Sequence, residues 1–266
     1  MGLSRKLSMA AVAMRLGQRF ADKVELLRLC ACYGGLGTFR GGRVSVETTS
    51  IGAPKLLMRH TQADAILMVE VLMEQDYRCL NQLSFSPQTI LDIGGNIGLG
   101  SFYMKSLFPQ AQIFGFEPSP AEYEMLTANY AGWAGCQAYQ IAISDTDNVN
   151  LRFAVHPERT GGQHVLEVEE AGDWHEIQVT ARRVDRLITE GVIPLPDLVK
   201  MDIEGAEVAA LCGFGDYLPQ VKAFVLETHS DELHQACLTL LDRAGHRIIS
   251  DVPRSPEARI LFTEKA

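Results

Sequence analysis

The chain has 266 residues, 47% of them hydrophobic and 21% charged, with a formal net charge of −9. That length buries a full core and suits one large α/β domain, or a domain with an N-terminal extension. The acidic balance argues against a nucleic-acid surface, which needs clustered Lys and Arg, and no apolar run reaches the roughly 18 residues of a membrane span.

Residues 1–30 read as a helix. Arg5-Lys6 ahead of Leu7–Met14, with Ala11-Val12-Ala13, looks like the start of a secretion signal. The apolar stretch is short, however, and runs into Arg15, Arg19 and Lys23. A basic amphipathic helix packed on the domain is expected, with weak membrane-surface contact as the alternative. Glycines between 34 and 42 break the chain, and Arg43–Thr49 has strand chemistry. Residues 62–77 predict a mostly apolar helix with Ile66, Val69, Leu72 and Met73 on its inner stripe. Residues 1–85 are thus expected to form an N-terminal extension or lid, and 86–266 the main domain, divided near Ser86-Pro87.

From residue 89 strands and helices alternate, which implies a parallel sheet with crossover helices. Strands are expected at 89–93, 112–117, 137–143, 197–203, 221–227, 246–250 and 258–263. Ser119-Pro120-Ala121-Glu122 reads as a capping box with proline at the first helical position. Leu233, Ala236, Cys237, Leu240, Leu241 and Ala244 recur at helical spacing between a Ser230 cap and a Gly245 stop, which marks a core-facing helix. Between 144 and 182 the alternation lapses. Asn150–Val155 and Glu176–Thr180 look like strands flanking a polar loop at Gly161-Gly162, an insertion over the active-site edge of the sheet. Six cysteines (Cys30, Cys32, Cys79, Cys136, Cys212, Cys237) show no zinc spacing and read as buried thiols in a reducing cytoplasm.

The chemistry concentrates at residues 89–98, Thr-Ile-Leu-Asp-Ile-Gly-Gly-Asn-Ile-Gly. An apolar run carrying one acid, Asp92, breaks into a turn built on Gly94, Gly95, Asn96 and Gly98. The next apolar run, Ile113-Phe114-Gly115-Phe116, ends in Glu117-Pro118-Ser119. Glycines admit a nucleotide-type cofactor, and an acid at the next strand tip takes ribose hydroxyls. The spacing is not the Gly-x-Gly-x-x-Gly of a dinucleotide site, which speaks against a nicotinamide-dependent dehydrogenase. Asp92 would repel a pyrophosphate and attract a cationic ligand such as S-adenosylmethionine.

Ligands of open parallel sheets lie beyond the carboxyl ends of the strands. The third such end offers Ala142 through Asp145, expected beside the adenine. The fourth offers Asp202 and Glu204 on one face, and the fifth Glu227-Thr228-His229. Asp202 and Glu204 have a plainer alternative, capping the helix that follows. His229 is a general-base candidate near neutral pH. Asp202, Glu204, Glu227 and His229 could also gather a divalent metal, which is not favoured. A non-catalytic cofactor-binding domain is the further alternative. Arg152, Arg159, Arg182 and Arg183 could hold one phosphate or carboxylate of an acceptor. The sequence carries no signal for an oligomeric state.

Asp-Ile-Gly-Gly-Asn-Ile-Gly, Phe-Glu-Pro-Ser-Pro, Lys-Met-Asp-Ile-Glu-Gly-Ala-Glu and Leu-Glu-Thr-His, in this order and spacing, resemble the FkbM-type methyltransferases over about 60–265. Gly95 stands where an alanine is common in that family. The resemblance implies a Rossmann-like, seven-stranded class I methyltransferase sheet with helices on both faces and an antiparallel last strand. It also implies S-adenosylmethionine as cofactor and O-methylation of a sugar or secondary-metabolite hydroxyl, hence a small-molecule or glycan acceptor. In that setting Asp92, Gly94, Gly95, Asn96, Gly98, Glu117, Pro118, Ser119, Ala142, Asp145 and Asp202 are expected to bind the cofactor. His229 or Asp202 would act as base, with Glu204 orienting the acceptor.

Overall fold

The computed structural model describes residues 3–155, 164–165 and 175–266. The N-terminal stretch is two helices rather than one, α1 (Leu3–Leu16) and α2 (Phe20–Tyr33). The break falls at Gly17, where a Cβ would come within 2.7 Å of the Lys23 nitrogen. The Arg19 N–H then donates to Asp22 Oδ2 at 2.9 Å, which fixes the start of α2. Met9 and Ala13 of α1 are buried in the core, so this helix packs on the protein. An antiparallel hairpin follows, β1 (Arg43–Glu47) and β2 (Lys55–Arg59).

Helix α3 (Gln62–Met68) does not run evenly to residue 77. It widens into a π-helical turn over Val69–Met73, where the Glu74 N–H donates to Val69 O. Such turns recur at functional sites because they swing side chains out of helical register. Here Glu70 and Val71 reach a cavity described below.

The main sheet is built from β3 (Thr89–Ile93), β4 (Gln112–Phe116), β5 (Cys136–Tyr139), β10 (Leu198–Met201), β11 (Ala223–Thr228), β12 (His246–Pro253) and β13 (Arg259–Lys265). Its order is β12-β13-β11-β10-β3-β4-β5, and β13 runs antiparallel to both neighbours while the other pairings are parallel. The crossover helices are α4 (Leu99–Leu107), α5 (Pro120–Tyr130), α6 (Val184–Thr189), α7 (Glu207–Cys212) and α8 (Asp231–Arg243). Helix α5 starts where the sequence predicts, yet the capping box does not close. The Ser119 hydroxyl bonds to the Glu122 carboxylate instead of the backbone, and Arg59 holds Glu122 from the other side at 3.1 Å.

The strand expected at 137–143 splits. After Tyr139 the chain leaves the main sheet, and β6 (Ala142–Ile143) pairs with β9 (His175–Arg182) in a second sheet of order β6-β9-β7-β8, with β7 (Val149–Val155) and β8 (His164–Val165). The insertion is therefore a small sheet standing on the rim of the large one. Its Gly161-Gly162 loop and Arg159 lie outside the described residues.

Alternating strand residues feed two cores. Ile90, Ile113, Leu198, Val225 and Phe262 face Leu26, Leu56, Met58 and Met68 of the N-terminal segment. Leu91, Phe114, Val199, Phe224 and Leu261 face Leu187, Leu211, Cys237 and Leu241 of the opposite helices. Burial on both sides explains why these strands read as unbroken apolar runs. Each fully buried Leu, Ile or Phe contributes about 1.5–3 kcal/mol, so residues 1–85 are bound to the sheet through a shared core. All six cysteines are free thiols, and Cys212 is exposed rather than buried.

Candidate active site

The strand order reverses between β3 and β10, and in an open α/β sheet that is where a crevice forms. The turn after β3 shapes it. Gly94 has φ +77°, and a Cβ there would run into the Asp202 carbonyl oxygen, so only glycine lets the two strand ends approach. The N–H groups of Gly94 and Gly95 donate to Phe116 O at 3.0 and 2.9 Å, which ties the turn to the tip of β4. Above it opens a cavity of about 650 Å³.

Gly94, Gly95, Asn96, Glu117, Pro118, Ala142, Asp202 and Glu204 line this cavity, as the sequence led one to expect. Glu117 is 6% exposed and accepts from the Asn96 N–H at 2.8 Å and the Ser119 N–H at 2.9 Å. Burial pushes its carboxyl up to about 7, against the pull of those two donors. Phe116, Ile141, Ala142, Ile143 and Phe153 make an apolar wall beside it.

Five of the expected residues do not reach the wall. Asp92 lies beneath the floor with its side chain fully buried. Its Oδ1 is 3.0 Å from Lys200 Nζ and its Oδ2 accepts from Ser101 at 2.5 Å, so its charge meets a lysine inside the protein rather than a ligand. Gly98 supplies the φ of +94° from which α4 starts. Ser119 is buried behind Glu117. Asp145 is exposed on a turn away from the cavity, because β6 has left the main sheet and carries it off. His229 sits behind Asp202 and Glu204. Of the arginines considered for an anionic acceptor, Arg152 pairs with Glu176, Arg182 with Asp147 and Glu190, and Arg183 with Asp185.

His229 is held in a cage of carboxylates. Its Nδ1 is 2.7 Å from Glu207 Oε1, while Nε2 faces Glu204, Asp202 and Glu227 at 3.4, 3.6 and 3.7 Å. Burial alone would lower its pKa. The Glu207 hydrogen bond and the charges of Asp202, Glu204 and Glu207 outweigh burial and raise it to about 9. Those carboxylates favour the protonated imidazole at neutral pH, whereas the sequence suggested a general base there. Asp202, Glu227 and His229 can each place one ligand atom within 4.8 Å of the others, the trio among the described residues that could hold a metal.

Sequence reasoning missed Lys200, Tyr77, Glu70, Arg254 and Glu207. Lys200, buried at the end of β10, bridges Asp92 and the Gly94 carbonyl oxygen at 2.7 Å. A lysine inside an apolar strand was a visible signal. Arg254 binds Glu227 at 2.5 Å, Glu70 at 2.8 Å and Asp76 at 3.0 Å, joining the β12–β13 connection to the N-terminal segment. No local pattern announces a contact spanning that much chain.

A seven-stranded sheet of this order with an antiparallel β13 and a glycine turn at the switch point is the class I methyltransferase fold. Residues 92–248 match the profile of the methyltransferase FkbM domain, and the chain belongs to that family. Methyltransferase 1 of Beauveria bassiana is 30% identical over 148 residues, covering 48% of this chain and 58% of that protein. The 2-O-methyltransferase NoeI of Sinorhizobium fredii is 28% identical over 192 residues, covering 65% and 78%. The hexuronic acid methyltransferase AglP of Haloferax volcanii is 28% identical over 161 residues, covering 59% and 63%. The chain therefore spans less than two thirds of the length of Methyltransferase 1 and of AglP. No helix among the described residues is long and apolar enough to cross a membrane.

Proposed function

We propose that this protein is an S-adenosylmethionine-dependent O-methyltransferase acting on a hydroxyl of a sugar or secondary metabolite. The observation that carries the reading is the buried Glu117 carboxylate at the β4 tip, beside a glycine turn that opens on a 650 Å³ cavity with an apolar wall. That donor set suits the cofactor: Glu117 for the ribose hydroxyls, Phe116, Ile141, Ala142 and Ile143 for the adenine, Gly94 to Asn96 for the backbone approach. The name of AglP, a hexuronic acid methyltransferase, supports a sugar acceptor, and that of NoeI, a 2-O-methyltransferase, supports transfer to oxygen. When bound, S-adenosylmethionine supplies a methyl group already activated by its sulfonium.

The protein's part is then alignment and proton removal. Holding the acceptor oxygen in line is worth roughly 7–11 kcal/mol. Asp202, on the cavity wall, would take the hydroxyl proton, and Glu204, on the same wall, would orient the acceptor. His229, protonated and anchored by Glu207, fixes both carboxylates from behind. The Asp92–Lys200 pair supports the floor of the cofactor site, with Asp92 beneath it and Lys200 reaching the cavity. Residues 1–85 act as an extension of the 86–266 catalytic domain and close one wall through Ile66, Glu70 and Tyr77. A cytoplasmic location accords with the unpaired cysteines.

The test is calorimetric titration with S-adenosylmethionine. Glu117→Ala is expected to abolish or greatly weaken binding, and Asp202→Asn to keep binding while losing methyl transfer to a hydroxylated acceptor. Undiminished affinity in Glu117→Ala would overturn the reading.

A further inference from the structure

Charge is divided unevenly along the chain. Residues 1–60 hold ten lysines and arginines against three acids, a net of +7, so the other 206 residues carry −16 and the whole chain −9. A basic segment on an acidic protein gives that segment alone an attraction for anionic surfaces. Arg19, Arg28, Arg40, Arg43 and Arg59 each meet a carboxylate of the protein. Arg15, Lys23 and Lys55 make no ion pair among the described residues.

These three cations share one corner of the molecule, where the α1–α2 turn lies on the β1–β2 connection. Gly17 bridges to Thr48, the Thr49 N–H donates to Leu16 O at 2.9 Å, and the Thr49 hydroxyl donates to Arg15 O at 3.1 Å. Lys23 packs on the turn, its Cγ 3.0 Å from where a Cβ on Gly17 would stand. Lys55 lies opposite Glu47 in the hairpin, and the Glu47 carbonyl oxygen accepts from the Gln18 N–H at 2.8 Å. Large apolar side chains protrude from the same elements. Phe20, the first residue of α2, is 78% exposed, Ile51 in the β1–β2 connection is 88% exposed, and Met14 in the last turn of α1 is 45% exposed. The face of α1 that carries Met9 and Ala13 is buried in the core, so the corner, not the helix face, is what the segment presents.

We infer that this corner docks the protein on an anionic lipid bilayer. Phe20 and Ile51 enter the boundary between headgroups and acyl chains, and Arg15, Lys23 and Lys55 meet lipid phosphates and carboxylates. Single apolar side chains standing proud of a turn and a loop offer little area for packing against a folded partner. Flanked by long-stemmed cations, they match a bilayer interface, where apolar groups sink and charged heads stay at the phosphates. The corner also fixes how the protein would sit. A Cβ on Gly52 would press on Lys105 O and Pro109 Cα, which places the β1–β2 connection at the C-terminal end of α4. The glycine turn of the cavity is at the other end of that helix, nine residues or about 13 Å away. The cavity and the acidic bulk of the chain then stand off from the negative lipid surface.

The experiment is co-sedimentation of the full chain with vesicles. Phosphatidylcholine vesicles containing about a third phosphatidylserine should bind it at least tenfold more tightly than phosphatidylcholine alone, and raising NaCl from about 0.1 M to 1 M should weaken binding as the screening length falls from roughly 10 Å to 3 Å. Phe20→Ser with Ile51→Ser, and separately Arg15→Gln with Lys23→Gln and Lys55→Gln, should each cost about tenfold or more in affinity for the mixed vesicles. Thermal unfolding checks both variants, and two independent sets keep one decisive should the other fold poorly. Absence of binding to the mixed vesicles, or parent-like binding by both variants, overturns the inference. So does a concentration-dependent dimer in analytical ultracentrifugation that Phe20→Ser with Ile51→Ser abolishes while vesicles bind nothing, since a second copy would then be the occupant.

Discussion

Replacing Glu117 with Gln isolates the group on which the cofactor site depends. The carboxylate accepts one backbone N–H on each oxygen, from Asn96 at 2.8 Å and Ser119 at 2.9 Å. A carboxamide keeps one acceptor and turns an NH₂ toward the other N–H, leaving a buried donor unpaired at about 1–3 kcal/mol. Against that, the raised pKa means the ionised carboxylate is itself held at a penalty. Its carboxyl moves from 4.5 to about 7, equivalent to about 3 kcal/mol. The sign follows from the direction: the folded pKa is raised, so the stability the group contributes is full below pH 4.5 and is lost as pH rises through about 7. Glu117→Gln should therefore leave stability above pH 7 nearly unchanged, flatten its slope between these two values, and weaken the cofactor by about 10- to 150-fold through loss of one charge-assisted bond. Denaturant unfolding at several pH values and calorimetry with S-adenosylmethionine measure the two effects. A dissociation constant within a factor of about three of the parent would refute the assignment of Glu117 to the ribose.

Lys200→Met leaves Asp92 buried without its partner and should destabilise by about 3–5 kcal/mol; thermal unfolding measures it, and adding Asp92→Asn should recover much of the loss. Gly94→Ala forces a side chain into φ +77° and onto the Asp202 carbonyl, so cofactor binding should disappear in calorimetry; full affinity would mean the turn is not the cofactor cradle. His229, raised from 6.5 to about 9, contributes stability that is full below pH 6.5 and lost as pH rises through about 9, so His229→Gln should reduce the fall in unfolding free energy across that window by about 3 kcal/mol. Arg254 already occupies Glu227 and Glu207 already fixes His229, so dialysis against EDTA should leave methyl transfer unchanged; activity lost and then restored by Mn²⁺ would assign the Asp202–Glu227–His229 trio to a metal.

The sequence by itself determined the sheet and the glycine turn and acidic strand tip that line the cavity. Strand burial on both faces leaves continuous apolar runs at Ile90–Ile93 and Ile113–Phe116, and a glycine turn with an acid at the next strand tip is local chemistry that survives in any tertiary setting. Gly94, Asn96 and Glu117 could be found that way because each needs only its own strand end. Tertiary structure alone decided the rest. Asp92 was expected to face a cation, and it does, but the cation is Lys200 within the protein, a choice set by the pairing of β3 with β10. The expected strand at 137–143 changes sheets after Tyr139 and carries Asp145 out of reach. Arg254 meets Glu70 and Asp76 across most of the chain, and His229 is enclosed only where Asp202 and Glu204, from the turn after β10, and Glu207, from α7, converge. Backbone conformation follows from neighbours in sequence; the charge state of a side chain follows from neighbours in space, and these are fixed only once the sheet has closed on its N-terminal cover.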